Sequence, residues 1–418
     1  MSRFRNAAWV KRTGLFVVYL VIFLDMLGFG VLIPVIRDLT QYLVGQSGLS
    51  WPSAEIYMGI LMASYSGSQM ISSPLLGRFS DTFGRKKVFL FSAIGNLASY
   101  VVWIFSGSYW PFLAGRILSG ITGGNIAIAQ SILADNTTPE QRPRAMGLLG
   151  ASIGMGFVFG PFLGVLMIKI SPMAVGLINS NPYWMIGLPP LFFAILAVVL
   201  ISISHFGDSK QAGQGERVFA LSAVLSSFQR TGGRAIYKTQ LLSQIAFVSF
   251  EVLFAWILQH QYGFDLKDTY YFFGFQGVLL AVVQGGIYRR VEKRKPPEYW
   301  VKMGLLLSFV TLVALPWIGY LPAAAIAGVS VKLIVLWMLL AMLTVALGFG
   351  TPSLNAYASI HAPNNEQGQT MGNMQGLAAF ARFSAPLLAT SLYAVWLPLP
   401  FAIAGLSCLL AWWVFSKD

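Results

Sequence analysis

Four ionisable side chains stand deep inside long apolar runs of this sequence: Asp25, Arg116, Glu251 and Arg382. A charge at the centre of a bilayer costs about 2.5–3.5 kcal/mol even on a lenient insertion scale, so such residues are expected to face a wet cavity or one another. Asp25 and Glu251 are candidate proton carriers. A low-dielectric cavity favours the neutral form of a carboxyl, which lets a proton load and unload near neutral pH. Each pH unit across a membrane then supplies about 1.4 kcal/mol. A membrane potential adds about 2.3 kcal/mol per charge for each 100 mV. The alternative is that each acid is the fixed partner of a buried arginine.

Arg116 heads a stripe of small and polar residues, Ser119, Gly120, Gly123, Ala127 and Gln130, on one helical face. Small residues let helices approach closely, here towards the first helix or a cavity. Arg116 is expected to pair with Asp25 in at least one state; otherwise it snorkels to the outer interface. Arg382 follows Gln375, Ala378 and Ala379 on one face. It either compensates Glu251 or grips an anionic substrate group with its planar fork. Gln244 lies seven residues before Glu251, with Phe247 and Phe254 nearby. Asn125, Gln276, Asn355 and Asn373 are further polar residues within spans. These are candidates for a substrate cavity or for interhelical hydrogen bonds.

The elements that must hold these groups follow from composition. Only 10% of the 418 residues are charged and 56% are hydrophobic, where a soluble domain is about 25% charged. This excludes a cytosolic enzyme, a nucleic-acid module and a disordered chain, and indicates an all-α membrane protein. A span needs about 20 apolar residues. Twelve are expected: 14–36, 54–77, 88–107, 109–131, 143–168, 184–205, 240–262, 269–290, 299–320, 332–358, 368–392 and 394–416. Of the 28 Lys and Arg, 22 fall on one side and only Arg37, Lys169, Lys267 and Lys332 on the other. Basic residues collect in cytoplasmic loops, so both termini are expected in the cytoplasm. The same bias accounts for the net charge of +13 without nucleic acid. The single Cys408 excludes an internal disulfide framework and a thiolate metal site. No HExxH, phosphate-binding GxxxxGK[ST] or nucleophile elbow occurs. No enzyme, cofactor or metal is expected.

The chain carries an internal duplication. Met146-Gly147 with Pro161 recurs at an offset of 225 as Met371-Gly372 with Pro386, and Asp25 and Glu251 are 226 apart. Two six-helix bundles, 1–205 and 240–418, are therefore expected, joined by a cytoplasmic loop, 206–239. Within the loop Val218, Leu221, Leu225 and Phe228 recur at helical spacing. An amphipathic helix on the membrane surface or a plain linker fits that pattern. The repeat has the parallel form found in major facilitator transporters.

Three motifs carry the same resemblance. Gly77-Arg78-Phe79-Ser80-Asp81-Thr82-Phe83-Gly84-Arg85-Lys86-Lys87 closely resembles the major facilitator signature between helices two and three. Gly115 to Gly120 resembles a helix-four motif, and Gly156 to Gly164 resembles the helix-five motif of antiporters, with Val165 in place of its usual last Gly. Leu24 to Gly30 is similar to helix one of drug:proton antiporters, the tetracycline exporters in particular. The resemblance implies alternating access around a central cavity and proton-driven efflux of a small amphipathic molecule. Import of an organic anion, metabolite or siderophore is the alternative, and a receptor or scaffold on the same fold is a third reading. The resemblance also implies that Asp81 and Arg85, with Gly77 and Gly84 in the turn, latch the cytoplasmic side, where Arg85 would bridge to Asp135. Simple anchoring by positive charge is the other reading of Arg85. Gly156, Gly160, Pro161 and Gly164 read as hinge and seal, packed against the second bundle. The expected partners are a small-molecule substrate, protons and the lipid of a cell membrane, the inner one in a Gram-negative cell, around a monomer.

Overall fold

The computed structural model describes residues 2–49, 54–138, 142–170, 181–204, 206, 234–322, 325–326, 329–361 and 367–417. Fourteen principal helices are labelled: α1 Ser2–Leu32, α2 Ile36–Gln46, α3 Ala54–Phe83, α4 Arg85–Phe105, α5 Tyr109–Thr122, α6 Asn125–Asn136, α7 Arg142–Ile170, α8 Leu188–Ile203, α9 Arg234–Tyr262, α10 Leu266–Val282, α11 Pro297–Ala314, α12 Val331–His361, α13 Gln367–Val395 and α14 Leu399–Ser416. Short 3-10 turns and one π-helical stretch, Val283–Tyr288, extend some of them. A two-residue hairpin pairs Ala325–Ile326 with Val329–Ser330.

A helix lies at each of the twelve expected spans. Among the described residues, ten are both long and apolar enough to cross a membrane. The remaining two expected spans fall on α3 and α7. The central half of α3 carries Ser64, Tyr65, Ser66, Ser68 and Gln69, which lower its hydropathy. The chain divides into two compact units, Met1–Ser50 with Ser64–Phe219, and Trp51–Ala63 with Ala220–Asp418. The first turns of α3 thus group with the second unit. The expected amphipathic helix around Val218 to Phe228 lies outside the described residues.

Two expected spans differ in form. The first does not stop at residue 36: a 3-10 turn at Ile33–Val35, containing Pro34, hands on to α2, and the helical segment continues to Gln46. The fourth is not one helix. It breaks at Gly123-Gly124, between α5 and α6. Two adjacent glycines favour a break because glycine is about 1 kcal/mol poorer than alanine in a helix. Side chains of α3 meet the freed carbonyls. Ser72 Oγ donates to Gly120 O at 3.0 Å and Gln69 Nε2 to Gly123 O at 2.6 Å.

In the first unit α1 packs along α7 and α8. A Cβ added at Gly160 would lie 2.7 Å from the Cα of Gly30 and 2.8 Å from Leu27 O. One added at Gly156 would lie 2.8 Å from Phe23 O. Both glycines meet α1, and the two backbones touch where Gly30 faces Gly160. In the second unit α11 and α12 cross in the same way: a Cβ on Gly304 would lie 2.9 Å from the Cα of Gly350. Large apolar side chains gather into a buried cluster in each unit. Val18, Ile22, Phe89, Ile128 and Leu133 form one buried cluster, and Tyr237, Val301, Leu354, Leu377 and Phe415 another.

Gly160→Val forces α1 and α7 apart. Overpacking of this kind costs about 1–3 kcal/mol. A lowered unfolding temperature in detergent is the expected result, and an unchanged one would mean that the crossing is slack.

Candidate functional site: a polar cavity around Asp25 and a charge latch at Arg85

Asp25 sits near the middle of the apolar stretch of α1, where it meets two amides. Asn125 donates from Nδ2 to Oδ2. Asn96 of α4 donates from Nδ2 to Oδ1 at the outer limit of 3.4 Å. Asn96 is itself held in place: Ser119 Oγ donates to its Oδ1 at 3.1 Å, and Thr122 Oγ1 at 3.5 Å. The break in helix four matters here. Asn125 is the first residue of α6, directly after the glycine pair, and its side chain turns onto α1.

Arg116 of α5 is brought to the same cavity but not to a salt bridge with Asp25. Its guanidinium carbon lies 4.7 Å from the ring centre of Tyr65 and 5.6 Å from that of Phe29. Such a cation–π contact is worth about 2 kcal/mol when desolvated. Arg116 is buried rather than extended to an interface. Within its stripe, Gly120 lies against Tyr65 and Ser68 of α3 and Gly123 against Gln69, while Ser119 meets Asn96 of α4. The cavity lined by Asp25, Phe29, Tyr65, Asn96, Tyr100, Arg116 and Asn125 measures about 10 Å³, room for about one water. Sequence reasoning missed Asn96, Tyr65, Gln69 and Tyr100. Asn96 was findable by the test that found Asn125, an amide deep in an apolar run.

In the second unit Glu251 of α9 is half-buried, and Arg382 of α13 lies close enough for the two charges to interact. Gln244 and Phe247 line a cavity of about 50 Å³ with Gln240, Ser308, Thr351 and Cys408. Phe254 was expected on a cavity wall. It is instead fully buried, 4.8 Å from the ring of Phe250 and 5.3 Å from that of Phe273, because it points into the α9–α10 seam. Gln276 and Asn355 are half-buried and Asn373 is buried. The side chain of Gln375 lies outside the described residues.

The turn between α3 and α4 holds a second charged cluster. Gly84 has φ +96°, a conformation that side chains rarely adopt. That turn starts α4 at Arg85 and folds its side chain back. Arg85 Nη1 donates to Ser80 Oγ at 2.7 Å and pairs with Asp81, while Nε meets Asp135 of α6 at 2.8 Å. Arg85 is only 6% exposed. Gly77 is buried one turn before Asp81, and its carbonyl accepts from Ser80 Oγ at 2.7 Å. One guanidinium thus ties the end of α3 to the end of α6. Among the glycines read as a hinge, Gly164 is buried with Pro161 on α7.

The family model of the Major Facilitator Superfamily matches residues 15–386. The chain belongs to that superfamily. It is a multi-pass membrane transporter, not an enzyme. It is 27% identical to the class H tetracycline resistance protein of Pasteurella multocida over 385 residues, covering 90% of this chain and 88% of the relative. A solved D-xylose–proton symporter matches with a TM-score of 0.76 at 18% identity, over 97% of this chain and 98% of that one. The solved human organic anion transporter MFSD10 matches with a TM-score of 0.71 at 24% identity, over 97% and 99%.

A lysine at position 85 keeps the charge but offers one point donor in place of a fork. Arg85→Lys is expected to slow turnover about tenfold, equivalent to about 1.4 kcal/mol, with substrate affinity unchanged. Initial rates over a range of substrate concentrations check this.

Proposed function

We propose that this transporter exports a small amphipathic compound in exchange for protons, by alternating access, with both termini in the cytoplasm. The observation that carries the reading is the way Asp25 is held. Its hydrogen-bond donors, Asn125 and Asn96, are neutral amides, and no salt bridge to it occurs among the described residues. A carboxyl held by amides can gain and lose a proton without breaking an ion pair, and an amide can turn its oxygen to accept from the protonated acid. Glu251, at the repeat-related position and beside Arg382, is the second proton-exchanging group in this reading. The relatives named for tetracycline resistance support export of a drug-like molecule. The Arg85 cluster acts as the latch: it closes one side while the cavity serves the other. The orientation rests on the 22 against 4 division of Lys and Arg.

Arg382 favours a second reading. A half-buried guanidinium whose carboxylate partner can be neutralised can grip an anion, and the solved MFSD10 is an organic anion transporter. In that case the cargo is an organic anion, and Arg382 contributes to its site.

Reconstituted vesicles with an imposed pH step separate these readings. Asp25→Asn is expected to abolish proton-driven accumulation while leaving downhill substrate exchange. Glu251→Gln is expected to reduce accumulation at least tenfold, or about 1.4 kcal/mol of coupling. Full accumulation in both variants would end the coupling role. Transport of anions alone, lost in Arg382→Gln, would favour the second reading.

A further inference from the structure

The cavity of the first unit contains an imbalance that its protein atoms do not resolve. Nε and Nη2 of Arg116 and Oδ1 of Asn125 are buried without a hydrogen-bond partner among the described residues. Arg116 is 8% exposed and Asn125 2%. Both line the same void, which has room for about one water. Buried polar groups in native interiors are nearly all satisfied, so orphans gathered around one void point to an occupant. The rings of Tyr65 and Phe29 cover a face of the guanidinium and leave its N–H groups, which lie in its plane, without acceptors.

The chemistry of the lining selects that occupant. An anion would satisfy Arg116 but would meet Asp25 and the oxygen of Asn125 in the same wall. A cation would meet Arg116. A water accepts from the arginine and donates to an oxygen at once. Two polar groups that share a cavity without touching are commonly joined in this way. We propose that this void holds one ordered water that accepts from Arg116 and donates to Oδ1 of Asn125, the amide that holds Asp25, and that Tyr100 is the positioning residue that closes the void over it. Tyr100 of α4 feels the charges of both Asp25 and Arg116. Its Oη is the nearest atom to the place a Cβ on Gly28 would take, at 3.1 Å. The titratable or charged groups that line the void are Asp25 of α1, Tyr65 of α3, Tyr100 of α4 and Arg116 of α5. α6 contributes the neutral Asn125, and α8 has no ionisable residue.

The water site stands on geometry; its use in proton exchange rests on the reading of Asp25 as a proton carrier. The two ideas fail separately in one experiment. Infrared difference spectra between acid and alkaline pH are recorded on the reconstituted transporter, in ordinary water and in H2 18O. An O–H stretching band that shifts with the oxygen isotope is expected in the wild-type protein. Gly28→Ala, which places a methyl against Tyr100 Oη in the cavity wall, should remove the band. Tyr100→Phe should move its frequency and lower the proton-driven rate roughly fivefold, the loss of about one hydrogen bond, with substrate affinity unchanged. No isotope-sensitive band in the wild type, or a band unchanged in both variants, overturns the water site. A band present beside an Asp25 carboxyl signal that does not change with pH upholds the water and ends the proton role instead.

Discussion

A charge taken out of water must be solvated by the protein, and the first unit is arranged around that requirement. Asp25 takes its solvation from Asn125 and Asn96. Arg116 takes part of its own from two aromatic rings. To deliver Asn125 the fourth span has to break, and the break exposes carbonyls that need donors in turn. Gln69 and Ser72 of α3 provide them. The polarity of α3, which keeps it from looking like an ordinary span, is thus a consequence of a carboxylate on another helix. Arg85 obeys the same rule. It is almost fully covered, and two carboxylates and a hydroxyl surround its guanidinium.

Hydrogen bonds of this length need backbones that come close, and glycine makes that possible. Gly30 and Gly160 let α1 rest on α7, which fixes the side of α1 that bears Asp25. The α11–α12 crossing at Gly304 and Gly350 does the same within the second unit. Van der Waals packing, not hydrophobic transfer, drives association between helices in lipid, so a methyl added at such a crossing acts on the whole bundle.

Much of this was legible in the sequence. Ionisable residues are rare in spans, so Asp25, Arg116, Glu251 and Arg382 announce themselves, and the duplicated acids point to two related bundles. Asp81, Arg85 and Asp135 meet as their motif implies. What stayed hidden depends on partners far away in the chain. Gly123-Gly124 is visible as a pair, but whether it breaks a helix depends on Gln69, 54 residues earlier. The neighbour of Gly160 depends on Gly30, which no local pattern specifies. Phe254 lies three residues beyond Glu251, yet it turns into a ring cluster with Phe250 and Phe273 because α10 lies on that side. Tyr100 lies one turn after Asn96, so only the recognition of Asn96 would have marked it.

Cys408 lies buried in the wall of the second cavity, 2% exposed. It is the only sulfhydryl of the 418 residues. A thiol so shielded is a poor target for alkylating reagents, whose reaction requires access. The native transporter therefore behaves towards maleimides much as a cysteine-free protein would. A cysteine introduced on any exposed turn would carry a fluorophore or spin label almost alone, without prior removal of the natural one.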